Sequence, residues 1–200
     1  MAASATPPPA RHRVPAAERR DELIAAAVHE FAHGGLHGTP VDRIARRVGV
    51  AQPYVFSLFA SKRELFLAAV ERGFDRVEGV FEQAAADYRA GRRYGEWADV
   101  LMAMGAAYVE LLASDRDTFL LQHQSFAACD DDVVRDRVRA RWARMLTYVQ
   151  ELSGADEERI DDFFRRGMAL NVAAAMGVQD LSVGSDWVRA SGPDASSEQV

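Results

Sequence analysis

Two hundred residues suffice for one compact unit or two small ones, and 48% hydrophobic with 27% charged residues is a globular composition, not a disordered one. A single cysteine, Cys129, excludes an intramolecular disulfide framework and a cysteine-built zinc site. The formal net charge of −6 is unevenly spread: residues 1–72 carry 10 Arg and Lys against 7 Asp and Glu, and residues 73–200 carry 14 against 23. A basic end on an acidic body points to an anionic partner for the first segment alone. No apolar run is long enough to span a bilayer, and the first residues lack the apolar core of a secretory signal, so a soluble, cytoplasmic protein without membrane attachment is expected.

Residues 1–13, with three consecutive prolines, and 191–200 read as disordered tails. Between them there is almost no period-two alternation, while helix-period stripes recur. Leu23, Ile24, Ala27, Val28 and Phe31 form the first stripe, which Gly34–Gly35 is expected to end. Thr39 and Pro40 offer an N-cap and a first-turn proline for a short helix carrying Val41, Ile44 and Ala45. Val48–Gly49–Val50 breaks it, and a second short helix is predicted from about Ala51 to Leu58. Ser61-Lys62-Arg63-Glu64 has the spacing of a capping box and opens a long helix through Leu65, Phe66, Val70, Val77 and Phe81.

After the polar stretch Arg89–Gly95, Trp97, Leu101, Met104, Tyr108 and Leu111 share one helical face. A shorter helix restarts near Ser114–Asp117 and carries Phe119, His123 and Phe126; residues 130–132, all aspartate, cap the next, which Gly154 ends. The last long helix starts at about Asp156 and is apolar on more than one face, so burial on more than one side is expected. The predicted fold is all-α, with about eight to nine helices and no sheet. Residues 14–60 are expected to form an N-terminal helix-turn-helix domain of three helices, and residues 61–190 a second, helical domain, which the resemblance stated below makes the ligand-binding and dimerisation domain.

Two short helices joined by a tight glycine-containing turn, 40–47 and 51–58, have helix-turn-helix spacing. In that motif the second helix enters the major groove with its N-terminal residues at base edges, while the first crosses the sugar-phosphate backbone. Ala51, Gln52, Pro53 and Tyr54 would lead the recognition helix. Gln52 can pair bidentately with adenine, small Ala51 permits close approach to a thymine methyl, and Pro53 suits a first turn.

At these residues the chain becomes recognisable. Thr39-Pro40-Val41-Asp42-Arg43-Ile44-Ala45-Arg46-Arg47-Val48-Gly49-Val50, followed by Phe56, Phe59, Ser61, Lys62 and Leu65 in register, resembles the N-terminal domain of the tetracycline-repressor (TetR) family of bacterial transcription regulators over roughly residues 15–75. The resemblance implies that Thr39 and Lys62 meet phosphates and that residues 51–54 read bases. Thr39 and Ser61 stand at predicted helix starts, whose free N–H groups favour anions, and Lys62 adds a positive charge there. The sequence departs from the family where Phe56 replaces a usual tyrosine and Leu58 a frequent histidine; Tyr54 and Ser57 supply hydroxyls nearby.

For the second half the resemblance implies a helical regulatory domain, with helices 130–152 and 156–178 pairing with their mates in a homodimer. Such a dimer matches double-stranded DNA carrying a palindromic operator. The residues themselves offer wide apolar surface with sparse polar points. Trp97, Met104, Tyr108, Phe119, His123, Phe126, Trp142 and Asn171 are the candidate ligand-binding residues, and the absence of an evident charged pocket residue favours a small, mainly apolar effector, its identity unknown. Family behaviour then implies a repressor that its effector releases.

His29, His33 and His37 recur at steps of four, but Gly34–Gly35 interrupts the helix before His37 and no cysteine completes a ligand set, so no metal site is expected. No phosphate loop, paired catalytic acids or activated cysteine emerges, and neither an enzyme nor a cofactor is expected. Two other readings remain: a helical DNA-associated protein without ligand control, which would have a solidly packed body, and a ligand-binding protein that has lost operator binding.

Overall fold

The computed structural model describes residues 15–182 together with 185 and 186; the tails predicted at 1–13 and 191–200 lie outside the described residues. Among the described residues there are eight α-helices and no strand, as the periodicity predicts. They are α1 (Ala16–Gly38), α2 (Val41–Val48), α3 (Gln52–Leu58), α4 (Lys62–Arg89), α5 (Val100–Ser114), α6 (Arg116–Ala127), α7 (Asp132–Ser153) and α8 (Glu157–Met176). Among the described residues, no helix is long and apolar enough to cross a membrane.

Local chemistry fixes most helix ends. Ser61 caps α4 by accepting from the Glu64 backbone N–H at 3.1 Å, while the Glu64 carboxylate reaches back to the Ala60 N–H at 2.7 Å. Side chains of Asp99, Asp115, Asp131 and Asp156 cap α5 to α8 by accepting from backbone N–H groups two or three residues on. Gly49 closes α2 at φ 75°, and the Val50 N–H returns to the Ala45 carbonyl at 3.0 Å, so the chain turns sharply between α2 and α3.

At the α1–α2 junction one expectation holds in part and one needs correction. The first run of α1 breaks at Gly35 (φ 64°, ψ 179°), as Gly34–Gly35 predicts, but a further short helical turn follows to Gly38. Thr39 does not cap α2, because Pro40 occupies the cap position and the Thr39 hydroxyl donates instead to the Glu30 carbonyl at 3.1 Å. A Cβ added to Gly34 would lie 2.4 Å from the Thr39 hydroxyl oxygen, and one on Gly35 would lie 2.6 Å from Gln124 Oε1. Both glycines thus serve close packing, of α1 on its own exit and on α6. Gly35→Ala is therefore expected to cost about 1–3 kcal/mol in urea denaturation, since its backbone region is open to glycine almost alone. Gly38→Ala, with no atom within 4 Å of the added Cβ, is the control and should be near neutral.

The N-terminal helices close around Leu23, Phe31, Ile44, Val55 and Phe59, each at most 1% exposed. Phe66 of α4 joins them, its ring edge-on to Phe31 at 5.1 Å. Helix α4 therefore belongs to both halves: its start completes the N-terminal core, and its later residues Phe74, Val77 and Phe81 enter the core of the body. An ion-pair ladder fastens α4 to α7. Arg141, with 7% of its side chain exposed, reaches Glu71, Asp75 and Glu78 at 2.8–3.1 Å, and Arg144 adds a 2.9 Å contact to Glu78.

Candidate nucleic-acid interface and effector cavity

Helix α3 is anchored by Val55, with Leu58 at its end partly buried against the same core. Val55 is 1% exposed, while Gln52, Pro53, Tyr54, Phe56 and Ser57 all face solvent, with Ala51 exposed just before them. This is the presentation a groove-entering helix needs: a short element packed along one line and polar or flat elsewhere. The Ser57 hydroxyl donates to the Tyr54 carbonyl at 2.6 Å, so its proton is already engaged. Phe56 is 43% exposed, and an aromatic ring without a donor at that level offers DNA contact area rather than a hydrogen bond.

The flanking residues divide. Lys62 lies in the first turn of α4, its ammonium donating to the His37 carbonyl at 2.9 Å, and partial burial lowers its pKa below the usual lysine value. Thr39 is 1% exposed with its hydroxyl donating inward to the Glu30 carbonyl, so the phosphate contact that the resemblance implies for it is not presented at the surface. Arg43 and Arg47 of α2 both pair with Glu30, at 3.6 and 3.1 Å, and Arg46 pairs with Asp42 at 2.6 Å. The arginines remain half-exposed or more, so these pairs hold them in place without removing them from the surface.

The body contains two interior cavities of about 20 Å³ each. One lies against α4, α6 and α7, between Val70, Phe74, Leu121, Ser125 and Met145. The other is walled by aromatic rings: Phe81, Tyr108, Trp142, Phe163 and Phe164 surround it, with Gln122 and Asn171 as its polar points. The rings pack edge-on at 5.4–5.9 Å through Phe163–Phe164, Trp142–Phe164 and Phe126–Trp142. Asn171 is 1% exposed; it accepts from the Tyr108 hydroxyl at 2.5 Å and donates to Gln122 Oε1 at 2.9 Å. Burial pushes the Tyr108 phenol up to about 12, so it stays a donor throughout the accessible pH range. Outside this cavity runs an open groove of about 400 Å³ between α5 and α8, lined by Trp97, Met102, Val109, Phe163, Arg166 and Leu170 among others. Tyr108, Phe163 and Gly167 line both spaces and form the wall between them.

Of the eight candidate ligand residues, Tyr108, Trp142 and Asn171 meet at the inner cavity and Trp97 stands in the groove. Met104, Phe119, His123 and Phe126 are not among the residues lining these spaces: Met104 and Phe119 are core, and Phe126 backs Trp142. The His123 Nδ1 lies 2.9 Å from the Phe119 carbonyl, and its Nε2 is buried without a hydrogen-bond partner. Sequence reasoning missed Phe163 and Phe164 as cavity residues. Their adjacency on a helix that is apolar on several faces was the available signal, since one faces the groove side and both meet at the ring cluster.

Helix α6 lies between the two halves. Gln124 abuts Gly35 of α1, while Thr118, Leu121, Gln122 and Ser125 line the cavities. A second tie joins the halves where Arg63 of α4 meets Asp131, the α7 cap, at 2.8 Å. That guanidinium, with the backbone N–H groups of Val133 and Val134, holds the Asp131 carboxyl below the usual range.

A three-helix domain presenting its third helix to solvent, on a helical body with apolar internal space, defines a helix-turn-helix DNA-binding regulator. Residues 23–69 match the family described as bacterial regulatory proteins, tetR family. The N-terminal part of the chain therefore carries the helix-turn-helix module of the TetR family of transcriptional regulators. Over 73 residues it is 40% identical to the HTH-type transcriptional activator FasR of Mycolicibacterium smegmatis; that stretch is 36% of this chain, which thus matches 33% of the relative's length. Among solved structures, the transcriptional regulator FadR of Bacillus subtilis, in complex with stearoyl-CoA, superposes with a TM-score of 0.62 at 16% identity over 78% of this chain and 87% of that one. A TetR-family member from Streptomyces coelicolor A3 gives 0.62 at 19% identity over 80% and 88%. At these identities the likeness establishes a shared fold.

Proposed function

We propose that this chain binds a palindromic operator as a homodimer, reads bases through Ala51, Gln52, Pro53 and Tyr54, and leaves the DNA when a mainly apolar effector enters the body. The observation that carries this reading is the exposure of α3, where Val55 is buried and Leu58 partly so, while Gln52, Pro53, Tyr54, Phe56 and Ser57 are left to the solvent. Lys62 is assigned to a phosphate, and Ser57 joins it once its hydroxyl leaves the Tyr54 carbonyl; Thr39, buried with its hydroxyl turned inward, is not assigned a contact. For the dimer, α7 presents the exposed stripe Ala140, Ala143 and Thr147, and α8 presents Ala169, Val172 and Met176. Val172 and Met176 are 38% and 54% exposed, so the second apolar face of α8 is uncovered within one chain and suits a symmetry mate.

The effector is assigned to the aromatic cavity and the groove beside it. The groove's roughly 400 Å³ is within the range of small-molecule sites, whereas the inner cavity has room for about one water until Tyr108 or Phe163 moves. A thin, flexible apolar chain is the shape that passes such a wall. Since stearoyl-CoA is the molecule bound by the Bacillus subtilis relative, long-chain acyl-CoA is the first class to test. Entry would press on α6 through Gln122 and so on α1, shifting the spacing of the two reading domains to the extent that the effector binds one state better. An operator that overlaps a promoter would make the protein a repressor; one upstream would make it an activator, the role named for the mycobacterial relative.

Selection of bound duplexes from a random pool at two salt concentrations tests this. A single enriched palindrome, with half-site centres about 34–36 Å apart or somewhat farther and a steep salt slope, is the expected result. Addition of stearoyl-CoA should then lower occupancy of that palindrome. No enrichment from a folded dimer would overturn the operator reading and favour a ligand-binding protein that has lost it.

A further inference from the structure

The three N-terminal histidines part company in the fold. His37 stands beside Asp130 at 3.8 Å, both side chains 73% exposed. His29 and His33, one helical turn apart on α1 with ring centroids 4.9 Å apart, converge instead on Asp117 in the first turn of α6. The Nδ1 of His29 lies 2.7 Å from one carboxylate oxygen and the Nε2 of His33 lies 3.1 Å from the other. One donor atom from each residue, taken together, fall within 4.8 Å of one another.

We propose that His29, His33 and Asp117 form a binding site for a divalent transition-metal cation of the zinc class, placed across the seam between the DNA-binding domain and the regulatory body. Two imidazoles on one helix face and a carboxylate from another element make a three-ligand set. Ligand bonds of about 2.0–2.2 Å put donor atoms a little over 3 Å apart, which these side chains reach by small rotations. Imidazole ligands favour zinc, cobalt, nickel or copper over magnesium and calcium, which prefer all-oxygen sets. The side chains are 38%, 49% and 31% exposed, so an ion can enter from solvent and water can fill a fourth position. The expectation of no metal site rested on the broken histidine spacing and the lack of a completing cysteine; the completing ligand is a carboxylate 84 residues beyond His33, brought there by the packing of α6 on α1. An ion in this site would cross-link α1 to the same helix that lines the effector cavities.

The test uses the full chain, stripped of metal by a chelator and titrated with Co²⁺. The expected result is one ion per chain, with the visible absorption of a four-coordinate cobalt centre, displaced by Zn²⁺. Asp117→Asn and His33→Gln, confirmed folded by circular dichroism, should bind at least about tenfold more weakly, while His37→Gln should bind as the parent does. Amide exchange should slow on Zn²⁺ addition in both α1 near His33 and α6 near Asp117. Equal affinity in Asp117→Asn and the parent would overturn the site, as would the absence of a four-coordinate spectrum. Exchange that slows in α1 alone would place the ion on that helix and likewise refute a site across the seam.

Discussion

Arg141→Ala is expected to destabilise the protein by about 3–5 kcal/mol, a large share of the ~5–15 kcal/mol that holds a typical domain folded. The guanidinium is 7% exposed and is the common partner of Glu71, Asp75 and Glu78, spaced along one face of α4. It also lies 5.3 Å from the centre of the Phe74 ring. Removing it leaves Glu78, with only 9% of its side chain exposed, facing the remaining acids with Arg144 as its one basic partner at the ladder's end. The cost arises from stranding a desolvated carboxylate more than from losing attraction, so a second substitution should recover part of it. Arg141→Met combined with Glu78→Gln should be more stable than Arg141→Met alone. Urea denaturation at one fixed protein concentration measures both, with Arg166→Ala, an exposed pair, as a control expected to cost less than about 1 kcal/mol. A loss under about 1 kcal/mol for Arg141→Ala would mean that water reaches the ladder.

Gln52→Ala should weaken operator binding by about 1–3 kcal/mol per half-site and relax the preference at one base pair in each. Gln52 is exposed at the first position of α3, where a bidentate amide can meet adenine. Lys62→Ala should behave differently. Its charge sits at a helix start and carries no base information, so affinity should fall nearly evenly across sequences, and the salt slope should drop by about 1 per reading domain. Anisotropy titrations against the selected palindrome and single-base variants, at several salt concentrations, separate the two patterns. A Gln52→Ala protein with unchanged base preference would remove Gln52 from the reading surface and direct attention to Tyr54.

Helix positions were legible in the sequence because period, caps and breakers are local. Asp131, within the aspartate run expected to cap α7, does so, α8 starts at the predicted Asp156, and the Ser61–Glu64 pair caps the start of α4 as its spacing predicts. The misread junction at Gly34–Thr39 has a non-local cause. Gly35 is shaped by Gln124, 89 residues onward, and Thr39 by a carbonyl of the preceding helix. The exposed face of α3 was readable since it follows from a seven-residue helix anchored by one buried valine. Cavity residues were only half readable. A phenylalanine lining a cavity and one filling a core have the same periodicity, and only packing separates Trp142 from Phe119. Asn171 was the exception, because a lone amide in an apolar helix needs partners, and Tyr108 and Gln122 supply them.

Helix α4 has 28 residues, so at about 1.5 Å rise per residue it is a rigid arm of about 42 Å with one end in each half of the protein. Pivoted at its far end, a tilt of about 5° carries the near end through about 4 Å, slightly more than the ~3.4 Å between successive base pairs. A leverage of this size means that the body need not open widely to be heard at the DNA. Under the proposed function, a ring rotation beside Phe81, where the arm is braced, would be magnified at Lys62 into a whole step of mismatch against an operator whose own spacing cannot stretch to follow.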